Sequence, residues 1–259
     1  MVGETEPLLA LLRDGDIEVI GRLREASNQT FAVRLTSGDQ ESLAVYKPVA
    51  GEAPLWDFPD GTLANREYAA YRVSEASGWD IVPPTILRDG PAGFGMVQLW
   101  VDVDDGEPVR VVRRGKEADH LHVLDAEDQW GRPVSLVHED SPALRRVAIF
   151  DLVINNTDRK GSHVLAAGDR RFGIDHGVCF HTDDKVRTVL WGWAAQELRA
   201  DERDVIGHWR RDEPLHRDLD ALLDPAEVVA FDRRCDRLLA NGRLPTPAGD
   251  WPAIPWPPL

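Results

Sequence analysis

The sequence has few cysteines and no long apolar run. Its 259 residues include two cysteines, Cys179 and Cys235, too few for a disulfide scaffold or a four-ligand zinc site. This usage fits a reducing compartment, and we expect a cytoplasmic protein. No apolar run approaches the roughly 20 residues that a membrane-spanning helix requires. The acidic N-terminus is unlike a signal peptide, so we expect no integral membrane segment.

Positive charge is also scarce. The chain carries 45 acidic residues against 30 Lys and Arg, a formal net charge of −15. Most of its surface should repel nucleic acid and anionic membranes, and we expect no nucleic-acid partner. The one dense basic cluster comprises Arg110, Arg113, Arg114 and Lys116, a pattern typical of a solvated loop. Only four lysines occur against 26 arginines, so the position of each lysine is informative.

The first hundred residues combine short strand patterns with one long helical pattern. A short helix is predicted at 5–14 and a longer one at 62–77. The predicted strands are 17–23, 30–35, 42–46, 81–87 and 95–101. This order favours an antiparallel sheet backed by one main helix.

The second part of the chain begins after an Asp-rich stretch, residues 102–108, which marks a predicted boundary between lobes 1–101 and 102–259. Residues 102–140 show no decisive periodicity. Ser141-Pro142 predicts the start of a helix over 143–154, and Asp224 predicts the start of another. The predicted fold class is α+β, with a mostly helical second lobe.

Two aspartates a short hairpin apart carry the strongest functional signal. Asp158 is followed by Arg159 in a polar turn after an apolar helix, and Asp175 ends an apolar strand two residues before Gly177. Phosphoryl transfer of the protein-kinase type uses one aspartate to orient the attacking hydroxyl and a second to hold the magnesium that bridges the phosphates. We therefore predict that Asp158 is catalytic and that Asp175 binds metal.

Lys47 ends a predicted strand and precedes Pro48. A lysine held by a rigid strand can reach the α- and β-phosphates of a nucleotide, although a surface lysine at a strand end is the simpler alternative. Glu67, near the start of the following helix, is predicted to pair with it. Glu75, two turns further along, is the second candidate partner.

Two further segments are predicted to contact a nucleotide. The turn between the first two strands could donate to phosphate oxygens, but it lacks the glycines of a phosphate loop, and an ordinary hairpin turn fits equally well. The end of the last strand before the boundary would contact adenine through its backbone. The residues concerned are Ser27, Asn28, Thr30, Gln98, Leu99 and Trp100.

These motifs together resemble a known family. The segments 47–48, 66–75, 81–83, 156–159 and 174–180 resemble the phosphatidylinositol 3-/4-kinase superfamily, the type II phosphatidylinositol 4-kinases above all. The Asn-Thr-Asp-Arg loop also resembles HipA-type serine/threonine kinases, and Trp191-Gly192-Trp193 is similar to an aromatic element of the type II lipid kinases. The resemblance covers about residues 17–200. Within the superfamily, the chain looks most like an actinobacterial branch.

The resemblance implies a bilobal protein-kinase-like fold with ATP between an antiparallel-sheet N-lobe and a mostly helical C-lobe. It implies that Lys47 contacts the ATP phosphates, that Asp158 orients the acceptor hydroxyl, that Asp175 binds Mg²⁺, and that Arg159 holds the loop. The γ-phosphate would pass to a hydroxyl of a lipid, a small molecule or a protein. The sequence leaves the acceptor and the oligomeric state open.

One position departs from the family pattern. His163 stands where the family has a metal-binding Asn, five residues after Asp158. Mg²⁺ prefers oxygen ligands, whereas imidazole suits softer metals. We therefore expect either a preference for Mn²⁺ or a single metal held mainly by Asp175. A nucleotide-binding pseudokinase that acts as a scaffold stays an alternative, as does adenylyl transfer on a kinase fold.

Overall fold

The computed structural model describes residues 2–23, 28–53, 55–58, 62–116, 118–247 and 252–259. Within these ranges the protein is α+β, with six α-helices and three antiparallel sheets. The helices are α1 Val2–Asp14, α2 Leu63–Ser77, α3 Pro142–Ile154, α4 Ala200–Trp209, α5 Glu213–Leu222 and α6 Pro225–Asn241. The strands are β1 Asp16–Arg22, β2 Phe31–Ser37, β3 Gln40–Pro48, β4 Thr85–Gly90, β5 Gly93–Leu99, β6 Val109–Arg113, β7 His120–Glu127, β8 Pro133–Glu139, β9 Val164–Ala167 and β10 Arg170–Gly173. None of the described helices is long and apolar enough to cross a bilayer.

The first sheet has five antiparallel strands in the order β1-β2-β3-β5-β4. Its buried face includes Val33, Leu35, Ala44 and Tyr46, which form a small core with leucines of α1. Successive side chains of a strand point to opposite faces. Lys47, next to Tyr46, therefore projects from the face away from α1, toward α2.

The fourth strand begins later than the sequence predicts, at Thr85 instead of residue 81. The N–H groups of Ile81 and Val82 donate to the Ser74 hydroxyl, each at 2.9 Å. The two prolines that follow have no N–H to donate to a neighbouring strand. Regular pairing is therefore possible only beyond them.

Residues 109–139 form a second antiparallel sheet, in the order β6-β8-β7. No secondary structure is predicted from the sequence for residues 102–140, and the structure places this sheet within a lobe that is predicted as mostly helical. The pairing of β7 with β8 shifts register between His122 and Leu124, and such a bulge breaks the period-2 pattern by which a strand is recognised. The sheet is anchored by His138, whose ring centre lies 4.3 Å from that of the buried Trp193.

Both predicted helix starts in the second part of the chain are confirmed. The Ser141 hydroxyl accepts the N–H of Leu144 at 3.1 Å at the start of α3. The Asp224 carboxylate accepts the N–H of Ala226 at 2.8 Å, and Glu227 completes a capping box at the start of α6. These side chains satisfy N–H groups that have no partner within the helix.

Helix α2 connects the first sheet to the helices of the second part through the main core. Trp209 of α4 is fully buried, and its indole N–H donates to the carbonyl of Val73 in α2 at 2.9 Å. The Trp79 ring packs edge-on against it at 5.3 Å. This packing fixes the position of α2, and with it Glu67, relative to the segments that follow α3.

Replacing Trp209 by Phe removes the indole N–H and part of the buried ring. We expect the free energy of unfolding to fall by about 1–3 kcal/mol, because a buried hydrogen bond and packing contacts are lost. Urea unfolding followed by circular dichroism measures this. Trp130→Phe is the control, since the Trp130 side chain is exposed, and it should change the value by less than about 0.5 kcal/mol. Equal losses in the two variants would contradict the assigned role of Trp209.

Candidate functional site

A cleft of about 290 Å³ lies between the first sheet, the start of α2 and the loops that follow α3 and β10. Most of the residues singled out in the sequence line it, although they come from five separate segments of the chain. They are Asn28, Thr30, Lys47, Glu67, Asp158, His163 and Asp175. The tertiary structure therefore brings the predicted lysine, glutamate and two aspartates to one cavity.

Lys47 joins two carboxylates at the centre of the cleft. Its Nζ lies 2.7 Å from Glu67 Oε1, the pairing that the sequence predicts, and also contacts Asp175 Oδ1. Burial alone would lower the pKa of Lys47, but the carboxylates of Asp175 and Glu67 outweigh it and raise this pKa above its usual value. The ammonium group is therefore charged at neutral pH.

Glu67 also holds the segment that follows β10. Its Oε2 accepts the backbone N–H of His176 at 2.8 Å. One carboxylate thus connects α2 both to β3, through Lys47, and to the backbone next to Asp175. The other candidate partner, Glu75, pairs instead with Arg72 on its own helix.

Asp175 is held in an unusual backbone conformation, with φ at 60°. This left-handed region is uncommon for residues other than glycine, and strain of this kind is concentrated at functional sites. The Lys47 ammonium holds the pKa of the Asp175 carboxyl well below its usual range. Asp175 is therefore an anion across the physiological pH range.

His163 faces Asp175 as a second acceptor. Its Nδ1–H donates to the backbone carbonyl of Asp158 at 3.0 Å, and its Nε2 lies 3.4 Å from Asp175 Oδ2. Burial lowers the pKa of His163, so the ring is neutral at pH 7 and Nε2 carries a lone pair. The Nε2 lone pair and the Asp175 carboxylate are two facing acceptors, an arrangement that can bind a cation between them.

No group of three or more His, Cys, Asp or Glu side chains is arranged around a common metal position in the described residues. In the cleft, Asp175 and His163 are a pair of facing acceptors. An ion bound there would take its other ligands from water or from a substrate, as Mg²⁺ does in phosphate-binding sites.

The loop after α3 presents the Asp158 carboxylate to the cleft. The N–H of Asp158 donates to Asn156 Oδ1 at 3.0 Å, and the Asn156 amide donates to the buried Asp151 at 3.0 Å. Lys160 Nζ lies 3.2 Å from Asp158 Oδ2. The backbone of Asp158 is thus held from beneath the loop, and its carboxylate lines the cavity beside Lys160.

Arg159 lies beneath the cleft and does not line it. Its fully buried guanidinium pairs with Asp151 through Nε and Nη2, both at 2.9 Å. Its Nη1 donates to the carbonyls of His163 and Ile174, at 2.8 and 2.9 Å. Arg159 therefore positions the loop and the strand that carry Asp158 and Asp175, and it does not itself reach the cavity.

The predicted phosphate-contacting turn reaches the cleft in part. Ser27 falls outside the described residues. Asn28 lines the cavity and accepts the N–H of Ala53 through Oδ1 at 2.8 Å. Thr30 is buried, and its hydroxyl donates to the carbonyl of Asn28 at 3.3 Å.

The predicted adenine-contacting residues Gln98, Leu99 and Trp100 do not line this cavity. The N–H of Leu99 donates to the carbonyl of Pro84 at 2.9 Å, and that of Trp100 donates to the carbonyl of Leu43 at 3.0 Å. Two of the backbone donors that would recognise a purine are therefore engaged within the sheet.

Sequence reasoning missed two charged residues of the cleft. Glu52 accepts the N–H groups of Leu63 and Ala64, at 3.2 and 2.8 Å, and so caps the first turn of α2. No short-range pattern links this loop residue to a helix that starts eleven positions later. Lys160 had a usable signal, since it is one of four lysines and stands two residues after Asp158.

The charged groups of the cleft are mainly acidic. Four carboxylates line it, those of Glu52, Glu67, Asp158 and Asp175, against two lysines. An excess of like charge in a partly enclosed site is unfavourable unless cations enter. The cavity is therefore suited to a polyanion only if divalent cations accompany it.

Replacing Arg159 by Met should lower the free energy of unfolding by about 3–5 kcal/mol, because Asp151 is left buried without a counter-charge. The double variant Arg159→Met/Asp151→Leu removes both charges and should recover most of that loss. Urea unfolding compares the two. If the double variant is as unstable as the single one, the buried ion pair is not the main contribution of Arg159.

Comparison with known proteins relates this chain to a mycobacterial protein. No family model matches the chain. Over 267 aligned residues it is 46% identical to Protein Rv2133c of Mycobacterium tuberculosis, and the match covers 96% of this chain and 94% of the relative. At this identity and coverage, the chain belongs to the same family as Protein Rv2133c.

Proposed function

We propose that this protein is an ATP-dependent kinase that transfers the γ-phosphate to a hydroxyl group. The observation that carries the proposal is Lys47, held between Glu67 and Asp175 in a cleft that also contains Asp158 and His163. Kinase-type phosphoryl transfer needs a lysine for the phosphates, a carboxylate that holds this lysine, a metal-binding aspartate and an aspartate for the acceptor.

The architecture supports the same proposal. A five-stranded antiparallel sheet with α2 beside it is followed by the three-stranded sheet β6-β8-β7 and then by a largely helical part, α3 to α6. This arrangement is compatible with a bilobal kinase-like fold divided into 1–101 and 102–259. It also agrees with the resemblance to the phosphatidylinositol 3-/4-kinase superfamily, to which the motifs around Lys47, Asp158 and Asp175 point.

In the proposed reaction, ATP binds with its phosphates beside Lys47. Asn28 and Thr30 border the same space. Asp158 orients the acceptor hydroxyl and takes its proton as the oxygen attacks the γ-phosphorus and the bond to the β-phosphate oxygen breaks. Lys160, 3.2 Å from Asp158, offsets negative charge on the transferred phosphoryl group.

Asp175 and His163 would hold the accompanying Mg²⁺ or Mn²⁺, which supplies charge neutralisation across the phosphates. The four carboxylates of the cleft would otherwise repel a triphosphate. The histidine in this pair favours Mn²⁺ over Mg²⁺, because imidazole is a poor partner for the harder ion.

The acceptor is an alcohol group of a small molecule, a lipid head group or a protein side chain. A second function, nucleotide binding without transfer, is favoured by one observation. His163 replaces an oxygen ligand at the metal site, and slow chemistry with Mg²⁺ would leave the protein a nucleotide-dependent scaffold. Transfer measured with each metal separates the two functions.

Lys47→Met and Asp158→Asn test the proposed roles. We expect Lys47→Met to weaken ATP binding, and Asp158→Asn to lower γ-phosphate turnover by about 10²–10⁴-fold while ATP binding stays within about threefold, because general-base catalysis contributes on that scale. Radiolabelled-ATP turnover and calorimetric titration with ATP provide the readouts. Asp169→Asn, in the exposed turn between β9 and β10, is the matched control. Wild-type turnover in both site variants would sink the assignment.

His163→Asn tests the metal preference. We expect the wild type to turn ATP over faster with Mn²⁺ than with Mg²⁺, and the variant to shift toward Mg²⁺, because an amide oxygen replaces the imidazole nitrogen. Steady-state rates across a titration of each metal measure this. Equal activity with the two ions in the wild type, unchanged in the variant, would rule out a metal contact by His163.

A further inference from the structure

A second cavity of about 290 Å³ lies between α3, α6 and the segments around Val186 and Pro245. It shares no lining residue with the cleft. Its polar wall contains Arg234, Arg237 and Arg243. Three guanidinium groups on one small cavity are unexpected in a chain whose formal net charge is −15.

The positive charge of this wall is only partly neutralised. Asp184 is the one carboxylate among the described lining residues, and its Oδ2 lies 2.7 Å from Arg237 Nη1. Arg243 pairs at 2.6 Å with Glu197, which is exposed and does not line the cavity. Within the part of the chain that the structure describes, the wall therefore carries more positive than negative charge.

Arg234 is the buried member of the wall, with 2% of its surface exposed. Its Nε donates to the carbonyl of Val153 at 2.9 Å, and its Nη1 donates to that of His181 at 3.1 Å. Its Nη2 is buried and has no hydrogen-bond partner among the described residues. The nearest carboxylate, that of Asp184, is 3.8 Å away.

The described surroundings of Arg234 compensate its charge only in part. Burial lowers the pKa of Arg234 to about 10, because the low-dielectric surroundings disfavour the cation and Asp184 offsets this only in part. A buried cation of this kind is costly unless it is paired. An anion in the adjacent cavity would supply the missing counter-charge.

The rest of the described wall is mainly apolar. It is formed by Leu152, Val186, Trp191, Leu238, Pro245 and Ala253, with Asn241 and Thr246 as its uncharged polar members. Ligand sites in proteins are mostly apolar cavities with a few convergent polar groups, and this volume is at their lower limit of about 300 Å³. The wall therefore has one side for an anionic head and another for a small apolar body.

We propose that this cavity binds a small amphipathic anion, a carboxylate or a phosphate monoester carried on a ring or a short chain. Its head group contacts the arginines of α6 and Arg243, whose forked donors match carboxylate and phosphate oxygens. Its apolar body packs against Trp191 and Leu238. The site is independent of ATP binding in the cleft.

Isothermal titration of the full chain with phenyl phosphate, phenylacetate, inorganic phosphate and benzyl alcohol tests the proposal. We expect phenyl phosphate or phenylacetate to bind with a Kd below about 1 mM, and benzyl alcohol and inorganic phosphate to bind at least about tenfold more weakly. The stronger of the two aromatic anions identifies the head group. Arg234 is left intact, since it also holds two backbone carbonyls.

The double variant Arg237→Gln/Arg243→Gln should bind the aromatic anion at least about tenfold more weakly than the wild type, because two charge-assisted contacts are lost. Arg233→Gln removes a neighbouring charge of α6 that does not line the cavity and should leave the affinity within about twofold. Circular dichroism confirms that each variant is folded.

The variant Lys47→Met distinguishes this site from the cleft. Its affinity for the aromatic anion should equal that of the wild type, whether or not the protein is a kinase. Any of four results would overturn the proposal. Two concern variants: loss of binding in Lys47→Met, or equal affinity in the Arg237→Gln/Arg243→Gln variant and the wild type. Two concern ligands: equal affinity for phenyl phosphate and inorganic phosphate, or no binding of either aromatic anion up to about 10 mM.

Discussion

The ammonium group of Lys47, held between two carboxylates, is the interaction on which the geometry of the cleft depends. It joins β3 to Glu67 of α2 and to Asp175 after β10, three segments that are distant in sequence. Glu67 extends the connection to the backbone of His176. Without this cation, two acids would face each other in a partly enclosed space, and Coulomb repulsion would favour their separation.

Burial distinguishes the charged groups that support the cleft from those that line it. Arg159 and Asp151 are fully buried, satisfy each other and hold the loop and strand beneath the cleft. The carboxylates of Asp158 and Asp175 remain partly exposed and face the cavity. Paired buried charges give a rigid support, whereas partly solvated carboxylates stay able to bind cations and protons. The described wall of the cavity beside α6 shows the opposite sign, because its three arginines outnumber its one carboxylate.

Local sequence was enough for elements whose signals lie within a few residues. The caps at Ser141 and Asp224 and the helical pattern of α2 predicted the starts of three helices within one or two residues of the observed ones. It was not enough for the sheet of residues 109–139, because a bulge between His122 and Leu124 interrupts the alternation. The start of β4 was also misplaced, because Ser74 of α2 binds the N–H groups that would otherwise have paired in the sheet.

For the cleft, the sequence by itself determined the types of chemical group and their local presentation: an amine at a strand end, an acid in a polar turn and an acid at the end of a hairpin. Only the tertiary structure decided that Glu52 caps α2 at the cleft wall and that the N–H groups of Leu99 and Trp100 bond within the sheet. The physical reason is range. A turn or strand end is set by neighbouring residues, whereas a backbone donor takes whichever acceptor the fold brings within about 3 Å.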